Sequence, residues 1–198
     1  MNQRILIAAI IVASLVLAAI LFLWHPENHQ QLPLSKEPTG GNFILNSVDG
    51  QVSLTDFKGK IVILYFGYTM CPDICPTSLA LLAIGLNLLS KEQQDRIQPI
   101  FVSVDPERDG LEHLMGYGRY FHSSIISVTG DPETVRNVAD LYGASYRRVE
   151  SGSSAGYMVD HSAYLYLIDE NGKLVDSIAH GTKPNQIHDR LIALLPKE

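Results

Sequence analysis

The stretch Ile61-Val62-Ile63-Leu64-Tyr65-Phe66-Gly67-Tyr68-Thr69-Met70-Cys71-Pro72-Asp73-Ile74-Cys75-Pro76 holds both cysteines of this 198-residue chain. Its first six residues form an unbroken apolar run, as in a strand buried on both faces. Pro76 suits the first turn of a helix, and Leu79, Leu82, Ala83, Leu86 and Leu89 continue a helical pattern over Thr77 to Leu89. This spacing makes Cys75 the N-cap and leaves Cys71 in the loop before it. A helix N-terminus favours negative charge, so a thiol there ionises readily. Pro72 stiffens the loop and biases Cys71 to an extended conformation. Two sulfurs held together at a strand-to-helix turn can close a disulfide, exchange electrons with other thiols, or bind a soft metal.

A plain stabilising disulfide ranks below the other two uses. A loop this short yields roughly 2 kcal/mol in the chain-entropy model, and a chain of this length buries a large core without cross-links.

Residues Ile5 to Trp24 carry no charge, and twenty residues at about 1.5 Å each cross a hydrocarbon core of about 30 Å. No small-x-small cleavage site follows the run, which favours an uncleaved anchor over a signal peptide. Arg4 precedes the span, leaving residues 1–4 as a short cytoplasmic tail and the rest translocated. The expected location is a bacterial inner membrane with one pass and the C-terminal domain in the periplasm, where thiols oxidise unless kept reduced. His25 to Asn42 is polar and rich in Pro, Gln and Gly, a flexible linker in which His25 and His29 read as solvated. Beyond Arg4, fourteen basic residues face twenty-one acidic ones, a net charge near −7 that argues against a nucleic-acid partner.

From 43 to 198 the pattern is that of one domain. Phe43–Leu45 and Val52–Leu54 suggest an N-terminal β-hairpin. Strands are expected at Ile61–Phe66, Ile97–Val104 and Ile125–Thr129, and helices at Thr77–Leu89, Leu111–Phe121 and Pro132–Tyr142. A second hairpin, Ala163–Ile168 with Leu174–Ala179, turns at Asp169-Glu170-Asn171-Gly172, and Pro184–Leu195 closes the chain as a helix. Alternating strands and helices followed by an antiparallel hairpin and a helix describe a thioredoxin-like α/β fold, a three-layer α/β/α sandwich. The cysteine spacing has three intervening residues, which departs from the C-x-x-C of ordinary disulfide oxidoreductases.

In that fold the residue before the late hairpin approaches the thiols, and here His161 and Ser162 stand there. With Cys71 and Cys75, His161 makes an S₂N set that suits Cu(I), whereas a structural zinc site wants a fourth ligand. Asp160 is a candidate to orient the imidazole. Met70 and Met158 read as packing residues. Ser151 to Gly156 reads as a flexible stretch whose mobility would let His161 approach or leave the sulfurs. Asp105-Pro106 resembles Asp131-Pro132 at a helix start, so Asp105 reads mainly as a structural cap.

Gly67 to Pro76, Val102-Ser103-Val104-Asp105-Pro106-Glu107-Arg108-Asp109 and Val159-Asp160-His161-Ser162 together resemble the Sco/SenC family, from about Phe43 to the C-terminus. The resemblance implies a membrane-tethered, thioredoxin-like copper metallochaperone that helps build the CuA centre of cytochrome c oxidase. By position, Cys71, Cys75 and His161 would be the copper ligands, and the cysteines a redox pair that reduces the partner's thiols. Implied partners are the oxidase subunit carrying the CuA site and other periplasmic copper chaperones or thiol reductases. A periplasmic thiol-disulfide reductase without a dedicated copper role is the alternative. A peroxiredoxin-like peroxidase fits less well, because Thr69 does not stand where the peroxidatic turn needs a threonine.

Overall fold

The computed structural model of the chain describes residues 12–14, 16–17, 38–153 and 156–195. The chain divides into two compact units, residues 1–30 and 31–198. In the first, the described residues are helical. The rest of the apolar span expected over 5–24, and the linker up to residue 37, lie outside the described residues. Among the described residues no helix is long and apolar enough to cross a membrane.

The second unit opens with the expected hairpin, β1 (Ile44–Ser47) and β2 (Gly50–Ser53). A single 3₁₀ turn over Leu54–Phe57 follows, its start fixed by a capping box between Ser53 and Asp56. Strand β3 (Ile61–Gly67) is buried at every position, as its apolar run requires. Parallel to it lies β4 (Ile97–Ser103), and beyond that β5 (Ile126–Val128). Two elements, β6 (Tyr146–Ser153) and β7 (Gly156–His161), pair only with each other. Strands β8 (Tyr164–Ile168) and β9 (Leu174–Ala179) then complete a five-stranded sheet in the order β5-β4-β3-β8-β9, with β8 antiparallel to β3.

Helices α1 (Ile74–Asn87) and α3 (Leu111–Phe121) carry the chain from β3 to β4 and from β4 to β5. Both connections step the same way across the sheet, so right-handed crossovers place both helices on one face. The rings of Tyr65, Phe101 and Tyr117 stack there, with centroids 6.3 and 5.4 Å apart. Phe66, the next residue after Tyr65, points to the opposite face. It meets Tyr142, which closes α4 (Pro132–Leu141), at 6.2 Å and Tyr166 at 5.6 Å. Helix α5 (Pro184–Leu194) packs on α1 where Gly85 leaves room for Ile187; a Cβ at Gly85 would lie 3.0 Å from that side chain. A short helix α2 (Lys91–Asp95), absent from the sequence reading, is held by a Ser90–Gln93 capping box.

The remaining departures lie near the thiols. Helix α1 begins at Ile74, three residues earlier than the apolar pattern indicates, with Asp73 at the N-cap and Cys75 inside the first turn. Residues 105–109 form a turn and no helix, so Asp105 caps nothing; Asp131 does cap α4, accepting from Glu133 N and Thr134 N. Of the stretch expected to be flexible, residues 151–153 end β6 and Gly156 opens β7, while 154–155 lie outside the described residues; His161 is carried on a strand paired with Tyr146.

Candidate metal centre

One ligand atom from each of Cys71, Cys75 and His161 lies within 4.8 Å of the other two, the one such His/Cys/Asp/Glu group among the described residues. Both cysteines are free thiols. The three residues come from separate pieces of chain: the loop after β3, the first turn of α1, and the last residue of β7.

The C-x-x-x-C spacing acts through the helix start. Asp73 occupies the cap position, yet its carboxylate makes no capping bond. Instead the Cys75 N–H, an otherwise orphan donor of the first turn, points at Cys71 Sγ at 3.4 Å. The sulfur of residue i thus serves as the cap for residue i+4, and the helix end stabilises its negative form. The Cys71 thiol is pulled down to about 3. The hydrogen bond from the Cys75 side chain contributes most, and the backbone N–H groups of Cys75 and Asp73 help against an opposing burial effect. Cys75 moves the other way, well above the ordinary thiol range, because it is fully buried and faces the Cys71 thiolate.

Cys75 sits over the end of β3, and Gly67 makes that possible. A Cβ at Gly67 would lie 2.6 Å from Cys75 Sγ and 3.0 Å from the Phe101 ring. Any larger residue at position 67 would displace the sulfur.

His161 presents Nε2 to Cys75 Sγ at 3.1 Å. Its Nδ1 lies 3.1 Å from the Ser162 carbonyl oxygen. A carbonyl only accepts, so in the neutral imidazole Nδ1 carries the hydrogen and Nε2 keeps a lone pair for a metal. The ring is wedged edge-on between Tyr65 and Tyr68, at 6.2 and 5.9 Å, with interplanar angles of 86° and 88°. Both tyrosines are buried. The expected orienting role of Asp160 is not seen: its carboxylate pairs with Arg147 at 2.9 Å and faces away. Met70 is 53% exposed and does not pack as expected.

Around these residues stands a polar frame that the sequence reading did not assign. Asp109, almost fully buried, accepts from Thr69 N (3.1 Å), Thr69 Oγ1 (2.6 Å) and Ser103 Oγ (2.6 Å), fixing the loop two residues before Cys71. Asp105 accepts from Arg108 Nε and, at 2.7 Å, from the Tyr157 hydroxyl. The sequence signal was the run Asp105-Pro106-Glu107-Arg108-Asp109 itself, in which the second aspartate received no separate weight.

Two thiol sulfurs and an imidazole lone pair, close together on buried and half-buried residues with no carboxylate among the ligand atoms, suit a soft, low-coordinate metal better than a hard one. Comparisons with known proteins agree with that chemistry. The SCO1/SenC family model matches residues 32–196. The chain is 32% identical over 201 residues to an SCO2-like protein of Rickettsia felis, covering 96% of this chain and 98% of that one. It superposes on Arabidopsis thaliana ScoI with copper bound at a TM-score of 0.72, with 34% identity, over 79% of this chain and 98% of the other. Bradyrhizobium japonicum ScoI, also solved with copper bound, gives 0.72 and 33%, over 79% and 99%. On the fold, the three converging ligand atoms and these matches, the chain belongs to the SCO1/SenC family.

Proposed function

We propose that this chain is a membrane-anchored copper metallochaperone, with Cys71, Cys75 and His161 as ligands, that helps assemble the CuA centre of cytochrome c oxidase. The observation that carries this reading is the convergence of two sulfurs and one available imidazole nitrogen within 4.8 Å. Soft sulfur donors hold Cu(I), and an imidazole is a competent ligand to either copper oxidation state. Two relatives of this fold carry copper in their solved structures. The anchor over residues 5–24 and the linker to residue 42 would keep the domain near a membrane-embedded acceptor, on the periplasmic side of a bacterial inner membrane. There the acceptor would be the oxidase subunit with the CuA site.

Coupled thiol chemistry belongs to the same proposal, and the low position of the Cys71 thiol favours it. Cys71 thiolate attacks a disulfide of the acceptor and releases one acceptor thiolate. Cys75 then gives up its proton and attacks Cys71 in the mixed disulfide, releasing the second thiolate. The chaperone ends oxidised and the acceptor reduced by two electrons, and a periplasmic thiol reductant resets the pair.

The test is transfer. Full-length chain loaded with copper is mixed anaerobically with reduced CuA-bearing subunit, and the CuA absorption bands are followed. They should grow at a rate set by the chaperone, and the His161→Ala chain should fail to support them. Bands that grow no faster than with a small copper chelate would reject the delivery role.

A further inference from the structure

The ligand set is split between two differently supported pieces of protein. Cys71 stands in the loop after β3 and Cys75 in the first turn of α1, the latter fully buried, whereas His161 ends a hairpin that pairs with no strand of the main sheet. A groove of about 380 Å³, lined by Val104, Asp105, Tyr146, Arg148, Tyr157 and Val159 among others, lies between part of that hairpin and the body. Something other than sheet hydrogen bonds must hold the imidazole against the thiols.

The residues that do so lie in the turn 105–109. The Tyr157 ring on β7 is sandwiched between two guanidinium groups, Arg108 at 3.7 Å and Arg148 at 3.5 Å from its centroid. Its hydroxyl donates to Asp105 at 2.7 Å, and its carbonyl accepts from Arg108 Nη1 at 2.9 Å. Arg108 in turn is paired with Asp105 and lies 5.6 Å from the centroid of Tyr68, one of the two rings that wedge His161. The other end of the same turn is Asp109, which holds Thr69 beside the Cys71 loop. One five-residue turn therefore grips both halves of the site without touching a ligand atom.

We infer that Tyr157 and Arg108 are positioning residues that set how long copper stays bound, by clamping the His161 hairpin onto the thiol loop through the 105–109 turn. This rests on the copper reading above. A partner that displaced Tyr157 from between its two arginines would loosen the imidazole first and leave the two sulfurs in place, which is the order a carrier needs for release.

The test uses the full chain and the variants Tyr157→Phe and Tyr157→Ala, with two readouts. In the metal-free protein, amide hydrogen exchange over residues 146–150 and 157–161 should quicken by about tenfold in Tyr157→Ala and by a few-fold in Tyr157→Phe, as loss of a charge-assisted hydrogen bond and of the ring sandwich implies. Core strand β3 should exchange as in the wild type, which shows that the variants fold. With Cu(I) bound, release to an excess of chelator should quicken in the same order, and the visible thiolate bands of the Cu(II) form should shift toward those of His161→Ala. Faster exchange in the hairpin with unchanged copper release and spectrum would overturn the inference, as would no change in either. Wild-type chain that takes up no copper would instead strike at the metallochaperone reading, with the exchange comparison still reporting on the clamp.

Discussion

The thiol half and the imidazole half of this site are built in different ways. Cys75 rests on a strand buried at all seven positions, under Phe101, with its sulfur seated where Gly67 lacks a side chain. His161 ends a two-stranded ribbon whose ties to the body include the Arg136 guanidinium over Tyr146 at 3.5 Å, the Arg148–Glu107 pair and the Tyr157 sandwich. The contrast teaches that one part of a ligand set can be fixed by the fold while the other is set by a few side-chain contacts. A protein that held and surrendered a metal, as proposed above, would have use for that division.

The comparison can be broken most severely from the core side. Phe101→Ala, at a fully buried position, should cost about 3–5 kcal/mol of global stability, read from urea unfolding. A loss under 1 kcal/mol would mean that the thiol half is not rigidly founded. Next in size is an ionisation effect. With the Cys71 thiol at about 3, its alkylation rate should stay flat from about pH 8 to pH 5. An ordinary thiol near 8.5 would slow about 160-fold between pH 8.5 and pH 6. The sign follows from the depressed value: the thiolate is present throughout that window and is lost only on approaching pH 3. A tenfold decline per pH unit would refute the depressed Cys71 thiol and its hydrogen bonds from Cys75.

From the other side, His161→Ala should weaken Cu(I) binding by about a hundredfold, roughly 2.7 kcal/mol, while thermal unfolding of the metal-free chain stays where it is. Unchanged affinity would remove the imidazole from the ligand set. Gly67→Ala sharpens the comparison, because it pushes on the sulfur and not on the hairpin. It should cost about 1–3 kcal/mol by overpacking and also weaken copper, an effect seen by competition titration; a silent substitution would contradict the close approach. Smallest of all is Arg136→Ala, which touches only the hairpin and should change global stability by less than about 1 kcal/mol. A loss as large as that of Phe101→Ala would erase the distinction between the halves.

How far the sequence can be read follows the same division. The continuous apolar run at Ile61–Phe66 and the helical spacing of Leu79, Leu82 and Leu86 locate β3 and α1, because burial leaves a periodic trace. Leu111–Phe121 and Leu174–Ala179 agree with the structure at both ends. The hairpin β6–β7 leaves little trace. Arg147, Arg148, Glu150 and the Ser-Gly run look like a loop, since a ribbon beside the sheet buries few side chains and needs no apolar alternation. The start of α1 was displaced because Asp73 reads as loop and Pro76 as the first turn, whereas the capping group is the Cys71 sulfur, which no propensity scale anticipates. Asp105 misled for a related reason: Asp-Pro is a helix start at Asp131, but at Asp105 the carboxylate is claimed by Arg108 and Tyr157, the latter fifty-two positions along the chain. His161 was found as a ligand candidate from its place before β8, but its wedge between Tyr65 and Tyr68 is a tertiary fact.

The most direct measurement of the central claim is anaerobic titration of the fully reduced chain with Cu(I), followed by X-ray absorption at the copper edge. One tightly held metal per chain, with two sulfurs and one nitrogen in its coordination shell, is the predicted result. A chain that forms no 1:1 adduct, or an adduct whose shell contains no nitrogen, would contradict it.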